Sequence, residues 1–94
     1  MTKIKQKSTI VKELKNKSIL VTGGAGSIGS ILVETLLKFP IQSVRVLDID
    51  EYALAKLNKR LQDKRLRILL GSILDKDRVD IAGDGVDIVF HLAA

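Results

Sequence analysis

The chain has no cysteine, which excludes a disulfide framework, a thiolate-held metal and a cysteine nucleophile. Its one histidine, His91, has no companions for an imidazole metal site, so no metal is expected. Aromatic side chains are scarce, only Tyr52, Phe39 and Phe90, and the core must be aliphatic. No apolar run exceeds a few residues, far short of a membrane span or a signal-peptide core. A soluble, cytoplasmic chain with no membrane partner is therefore expected. Internal repeats and low-complexity stretches are also missing.

What is present fits one small domain. Ninety-four residues bury about 60–65% of the surface of the unfolded chain, which makes stability marginal. The net charge of +5 suggests a polyanion partner until it is located. Residues 1–17 hold six lysines against Glu13, whereas residues 18–94 hold ten basic and ten acidic side chains. A basic tail on a neutral body leaves no electrostatic footprint on the fold, and nucleic acid is not expected as a partner. Residues 1–16 read as a basic leader, with a short helix proposed over residues 8–15, and residues 17–94 as the folded unit.

Four short aliphatic runs recur in that unit: Ile19-Leu20-Val21, Val44-Arg45-Val46-Leu47, Ile68-Leu69-Leu70 and Val86-Asp87-Ile88-Val89-Phe90. Each has the length and composition of a strand buried on both faces. Between the first two, Ile31, Leu32, Leu36 and Phe39 fall at helix spacing until Pro40 stops the pattern. Leu54, Leu57 and Leu61 form the next stripe, with Lys56, Lys59 and Arg60 turned outward and Asp50 placed as its cap. The third connection, Asp75 to Ile81, leaves room for a short helix before the Gly83-Asp84-Gly85 turn. Strands alternating with helices define an α/β domain, and right-handed crossovers impose a parallel sheet. A partial Rossmann fold is expected, about four parallel strands in the order 3-2-1-4 with flanking helices.

Gly23, Gly26 and Gly29 are spaced G-x-x-G-x-x-G between the first strand and the first helix. Gly23 permits a tight turn, Gly26 a close approach of backbone to phosphate, and Gly29 the packing of helix against strand. The helix N-terminus presents free N–H groups and a positive dipole end to an anion, and Ser27 can add a hydroxyl. Asp48 follows Gly29 by nineteen residues, at the end of the second strand. A carboxylate there accepts hydrogen bonds from ribose hydroxyls and repels a 2′-phosphate, which favours NAD over NADP. Asp50 is close enough in sequence to share that role.

Other patterns carry less. Tyr52 and Lys56 have the Tyr-x-x-x-Lys spacing used for proton transfer, but they follow the second strand and so lie toward the adenosine end of a dinucleotide. His91 ends the fourth strand, where a hydrogen-bonded structural histidine is the simpler reading. Asp75, Asp77 and Asp80 are spaced for capping and solvation. No catalytic set is assigned.

Three motifs in order, Ile19-Leu20-Val21-Thr22-Gly23-Gly24-Ala25-Gly26-Ser27-Ile28-Gly29, Leu47-Asp48-Ile49-Asp50-Glu51-Tyr52 and His91-Leu92-Ala93-Ala94, resemble the amino-terminal part of the extended short-chain dehydrogenase/reductases. The Ser-Ile-Gly-Ser turn and the Asp-Glu-Tyr-Ala-Leu stretch are similar to the polysaccharide-biosynthesis branch, the nucleotide-sugar 4,6-dehydratases and epimerases. The resemblance implies that Gly23, Ala25, Gly26, Ser27, Ile28 and Gly29 hold a diphosphate and that Asp48 holds the ribose. It also implies that Leu92, Ala93 and Ala94 pass close to the cofactor. Two positions depart from the family pattern. Ser72, followed by Ile73, stands where an acid often meets the adenine, and Ile49 stands where NADP-using members often carry arginine.

The family's own Tyr-x-x-x-Lys and its sugar-nucleotide domain lie beyond the fourth strand. This implies the NAD(P)-binding portion of such an enzyme without its catalytic part, with nucleotide-sugar as substrate only in a full-length parent. The alternative is a stand-alone, non-catalytic dinucleotide-binding or regulatory module. Four strands alone leave an apolar edge uncovered, so self-association is expected.

Overall fold

The computed structural model describes residues 9–93. A short helix, α1 (residues 9–14), leads into β1 (Ser18–Thr22). Then come α2 (Ser27–Leu36), β2 (Ser43–Asp48), α3 (Glu51–Leu61), β3 (Leu66–Leu70), α4 (Lys76–Gly83) and β4 (Ile88–His91). The helix at residues 9–14 lies within the stretch expected for it, and residues 1–8 of the basic leader lie outside the described residues.

The strands form one parallel sheet in the order β3-β2-β1-β4, as expected. Its register levels the strand ends, with Thr22 opposite Leu47 and His91, and Asp48 opposite Leu70. From β1 the chain crosses outward first to β2 and β3 and then back to β4. The carboxyl ends of β1, β2 and β4 therefore frame the crevice where such sheets bind ligands.

Alternation along the strands divides the core into two layers. Ile19, Val21, Val44 and Val46 face α2 and α3, joining Leu14, Val33, Leu36, Leu54 and Leu57. Leu20 and Leu47 face the other way and meet Ala82 of α4, with Leu69, Val79 and Val86 around them. Arg45 points to this second layer and donates to the carbonyls of Ala82 at 3.0 Å and Asp84 at 2.5 Å, closing the C-terminal end of α4.

Three expectations need correction. Burial on both faces holds for β1 throughout, but Leu70 on β3 and Val89 on β4 are exposed, because one eight-residue helix is too short to cover the second face. Ile31 is also exposed, 65%, and the buried stripe of α2 is Gly29, Val33 and Leu36. The stripe is rotated because Gly29 must face the turn. The fourth strand starts at Ile88: Asp87 instead accepts the Ser18 N–H with its carboxylate, 2.8 Å, and donates its own N–H to the Ser18 carbonyl, 2.8 Å. The apolar edge expected at β4 is present in Val89 and the Leu92 that follows it.

Candidate dinucleotide site

The turn after β1 is built by four glycines that do different things. Gly23 has φ +72°, a left-handed conformation that suits glycine, and its N–H donates to the Leu47 carbonyl at 2.8 Å. Any β-carbon there would also strike the Ala93 backbone nitrogen at 2.8 Å, because the end of β4 runs directly over the turn. Gly24 is wedged on Val46 and Val21, with a β-carbon's place only 2.7 Å from a Val46 methyl. Gly29 presses α2 onto the turn, so a β-carbon would collide with the Gly23 carbonyl oxygen and come within 2.6 Å of Gly24 Cα.

Gly26 differs from these three. Its φ of −71° suits any residue, and the nearest protein atom to an added β-carbon is the Gly23 oxygen at 3.6 Å. Nothing in the fold requires glycine at this position. The space above Gly26 is a cradle that a β-carbon would fill, at the entrance to α2.

That entrance is electrostatically open. Gly26 is the N-cap of α2, no side chain accepts from the first-turn N–H groups, and no acid lies in the first turn. By contrast Asp50 caps α3 through the Ala53 N–H at 3.0 Å, and Asp75 caps α4 through the Arg78 N–H at 3.2 Å. Unpaired N–H groups with a positive dipole end form an anion site.

Asp48 stands beside it at the end of β2. Its Oδ2 accepts the Ala25 N–H at 3.1 Å and its Oδ1 the Asp50 N–H at 3.0 Å. The glycine turn and the second strand are thus tied through one carboxylate. Asp50, the alternative acid, spends its own carboxylate on capping α3.

Two hollows meet at Gly23. One, of about 380 Å³, is lined by Gly23, Asp48, Ile49, Ser72, Ile73 and Ala93, together with Leu47, Gly71 and Leu74. The other, about 330 Å³, is lined by Gly23, Gly26, Ser27, Ile28, Gly29 and Leu92. Of the described residues chosen from the sequence, only Ala25 lines neither hollow. Ala25 enters through its N–H to Asp48, and Ala94 lies outside the described residues.

Leu74 was not foreseen. It is 91% exposed at the mouth of the larger hollow, in a turn where the Ser72 hydroxyl accepts the Leu74 N–H at 3.0 Å. A leucine in a polar turn ahead of Asp75 was the available signal.

His91 secures the roof. Its Nδ1 lies 2.7 Å from the Thr22 hydroxyl, which also takes the Ala93 N–H at 3.4 Å. The hydroxyl can accept from Ala93 while its own hydrogen is shared with His91. The Leu92 N–H meets the Thr22 carbonyl at 3.0 Å. These bonds hold Leu92 and Ala93 over the glycine turn, so His91 has the hydrogen-bonded structural place expected of it. Tyr52 and Lys56 lie on α3, across a groove from the first turn of α2, and neither lines the two hollows that meet at Gly23.

Residues 19–94 match the family model described as polysaccharide biosynthesis protein. The chain belongs to this family. An uncharacterized membrane protein of Methanocaldococcus jannaschii is 52% identical over 85% of the chain and 24% of its own length. Among the described residues of this polysaccharide-biosynthesis family member, no helix is long and apolar enough to cross a membrane. The X-ray structure of Pen from Bacillus thuringiensis superposes with a TM-score of 0.82 at 38% identity, covering 86% of this chain and 25% of that one. UDP-glucuronic acid 4-epimerase from Bacillus cereus, solved with UDP-glucuronic acid and NAD, gives 0.67 at 33% identity over 82% of this chain and 26% of its own. The chain thus spans about a quarter of the length of these relatives. The resemblance to the nucleotide-sugar branch of the extended short-chain dehydrogenase/reductases agrees with these matches.

Proposed function

We propose that this chain grips a nicotinamide dinucleotide, with the diphosphate on the open N-terminus of α2 and the adenosine in the hollow beside Asp48. The observation that carries this reading is the freedom around Gly26: glycine is kept where the fold has no use for it, directly over an uncapped helix end. Asp48 then meets the ribose hydroxyls, Ile49, Ile73 and Ser72 border the adenine, and Leu92 and Ala93 bound the turn on the β4 side. The carboxylate at Asp48 and the apolar Ile49 favour NAD over NADP. When bound, the dinucleotide supplies hydride transfer.

The parent activity is a nucleotide-sugar 4,6-dehydratase or epimerase of polysaccharide biosynthesis, in which this region holds the cofactor and contributes no proton-transfer group. The aqueous phase is its setting. Calorimetric titration with NAD, wild type against Gly26→Val, tests the reading. Wild type is expected to bind and the variant to lose binding while keeping its circular dichroism. Equal binding by both would overturn it.

A further inference from the structure

The folded part is neutral in sum but not in distribution. At the carboxyl end of the sheet, the strand ends and the turns that follow carry Asp48, Asp50, Glu51, Asp75 and Asp77, against Arg78 and a Lys76 that pairs with Asp80 at 3.0 Å. The amino end reverses this. There the Gln42 N–H donates to the Lys17 carbonyl at 2.9 Å, the Asn16 N–H to the Pro40 carbonyl at 2.9 Å, and the Arg65 guanidinium to the Phe39 carbonyl at 2.8 Å. These bonds stitch the connections before β1, β2 and β3 into one surface that carries Lys12, Lys15, Lys17, Lys38 and Lys64. The acids of the same connections are Glu13 and Asp63, and Asp63 is held by Arg65 at 2.9 Å. None of the five lysines takes part in the ion pairs among the described residues, and all but Lys17 are exposed. Asp84 and Asp87 lie aside, before β4, where Asp87 accepts the Ser18 N–H.

An exposed apolar side chain stands with these charges. Ile10 lies one helical turn before the buried Leu14 of α1 and is 45% exposed. The leader sequence repeats the combination, with Lys3, Lys5 and Lys7 around Ile4 and no acid in residues 1–8. Lysines beside an exposed aliphatic side chain suit a lipid surface, the ammonium groups meeting headgroup phosphates and the isoleucine the acyl boundary. The groups that grip nucleic acid bases are otherwise engaged at this end: Phe39 packs on the core, and Arg65 is spent on Asp63 and on backbone carbonyls. We propose that the amino end of the sheet, with α1 and the basic leader, docks on an anionic lipid surface. The composition that excludes a span leaves such contact open. The same surface repels the acidic end, so the docked chain is oriented with its carboxyl-end crevice turned away, toward the aqueous phase. This inference is independent of the dinucleotide reading.

The test is co-sedimentation of the full chain with vesicles of phosphatidylcholine alone and of equal parts phosphatidylcholine and phosphatidylglycerol, at low and at physiological salt. Wild type is expected to bind only the anionic vesicles, and more weakly as salt rises. Lys12→Gln with Lys15→Gln is expected to lose roughly twentyfold in partition, about fivefold per lysine. Lys76→Gln with Arg78→Gln makes the same charge change at the other end and is expected to lose less than about twofold, with circular dichroism confirming that both double variants fold. Equal losses would assign the binding to net charge and overturn the docking end. Equal binding to neutral and anionic vesicles, or binding to neither, overturns it as well. Ile10→Ser is expected to loosen binding to anionic vesicles several-fold and to leave retention on a single-stranded oligonucleotide in place. Oligonucleotide binding that depends on Lys12 and Lys15 while the vesicles stay bare overturns the lipid assignment and gives this end to nucleic acid.

Discussion

The three helices that follow the strands begin in different ways. α3 and α4 each start on an aspartate whose carboxylate accepts a first-turn N–H, and each carries an acid in the first turn, Glu51 and Asp77. α2 starts on Gly26 with neither. Its far end is not neglected: Arg65 donates to the carbonyls of Phe39 at 2.8 Å and Leu37 at 2.5 Å, just past the helix. Side chains thus close both N-termini that begin on aspartate and the C-terminal ends of α2 and α4. Among the three described helices that follow a strand, α2 alone begins without a side-chain cap or a first-turn acid, and the glycine turn, Asp48 and the end of β4 converge over that end. An end left uncapped costs about 1 kcal/mol, a cost that an external anion offsets.

The largest effect that sharpens this contrast comes from the glycines. Gly29→Ala places a methyl group against the Gly23 carbonyl and Gly24 Cα, backbone atoms that cannot move aside. A loss of about 3 kcal/mol is expected, read as a collapse of the urea midpoint. Gly26→Ala makes only an ordinary contact with the Gly23 carbonyl oxygen, 3.6 Å, and is expected to cost less than about 1 kcal/mol while removing dinucleotide binding. If the two variants lose stability equally, the division between a glycine kept for the fold and one kept for a ligand fails.

A smaller effect follows from closing the open end artificially. Ser27→Asp puts an acid into the first turn of α2, as α3 and α4 already have. Stability is expected to rise by about 0.3–1 kcal/mol, and affinity for NAD to fall at least tenfold as the carboxylate repels the diphosphate. The reverse operation, Asp50→Ala on α3, removes the bond to the Ala53 N–H. It is expected to lower stability by about 1 kcal/mol and to change NAD affinity less than about twofold. Thermal melts with and without NAD separate the two outcomes, since a bound ligand raises the melting temperature only where the site survives.

Much of this was legible in the sequence because it rests on local rules. The alternation of aliphatic runs with helical stripes gave the parallel sheet and its order, and the glycine spacing between a strand and a helix located the turn. Asp50 was already placed as a cap, and in three dimensions its carboxylate is spent on α3 while that of Asp48 ties the turn to β2. The motif's spacing already separated Gly26, given to the phosphate, from Gly29, given to packing, and their surroundings differ in that sense. Spacing misplaced Ile31, since helix periodicity does not say which stripe faces inward when a glycine contact fixes the rotation. Arg65 and Arg45 each reach backbone carbonyls in another part of the chain, a long-range pairing that no local pattern announces.

The closed end of α2 offers the smallest and most specific test. Asp63 holds the Arg65 guanidinium at 2.9 Å, and hydrogen bonds from the Arg65 side chain and backbone keep its carboxyl below the usual range. A carboxyl whose pKa is depressed in the folded state binds protons more readily when the chain is unfolded. Its contribution is therefore complete above about pH 4, the unfolded value, and is lost as pH falls through the lower folded value. The pair is partly solvated, 31% and 27% exposed, so the contribution is expected to stay below about 1 kcal/mol. Urea denaturation of wild type and Asp63→Asn should show a stability gap at pH 6 that closes as pH falls below the usual carboxylate range, with the other carboxylates cancelling between the two proteins. A gap that persists at low pH would mean that Arg65 seals the end of α2 without help from the Asp63 charge, leaving the guanidinium alone as the counterpart to the open end.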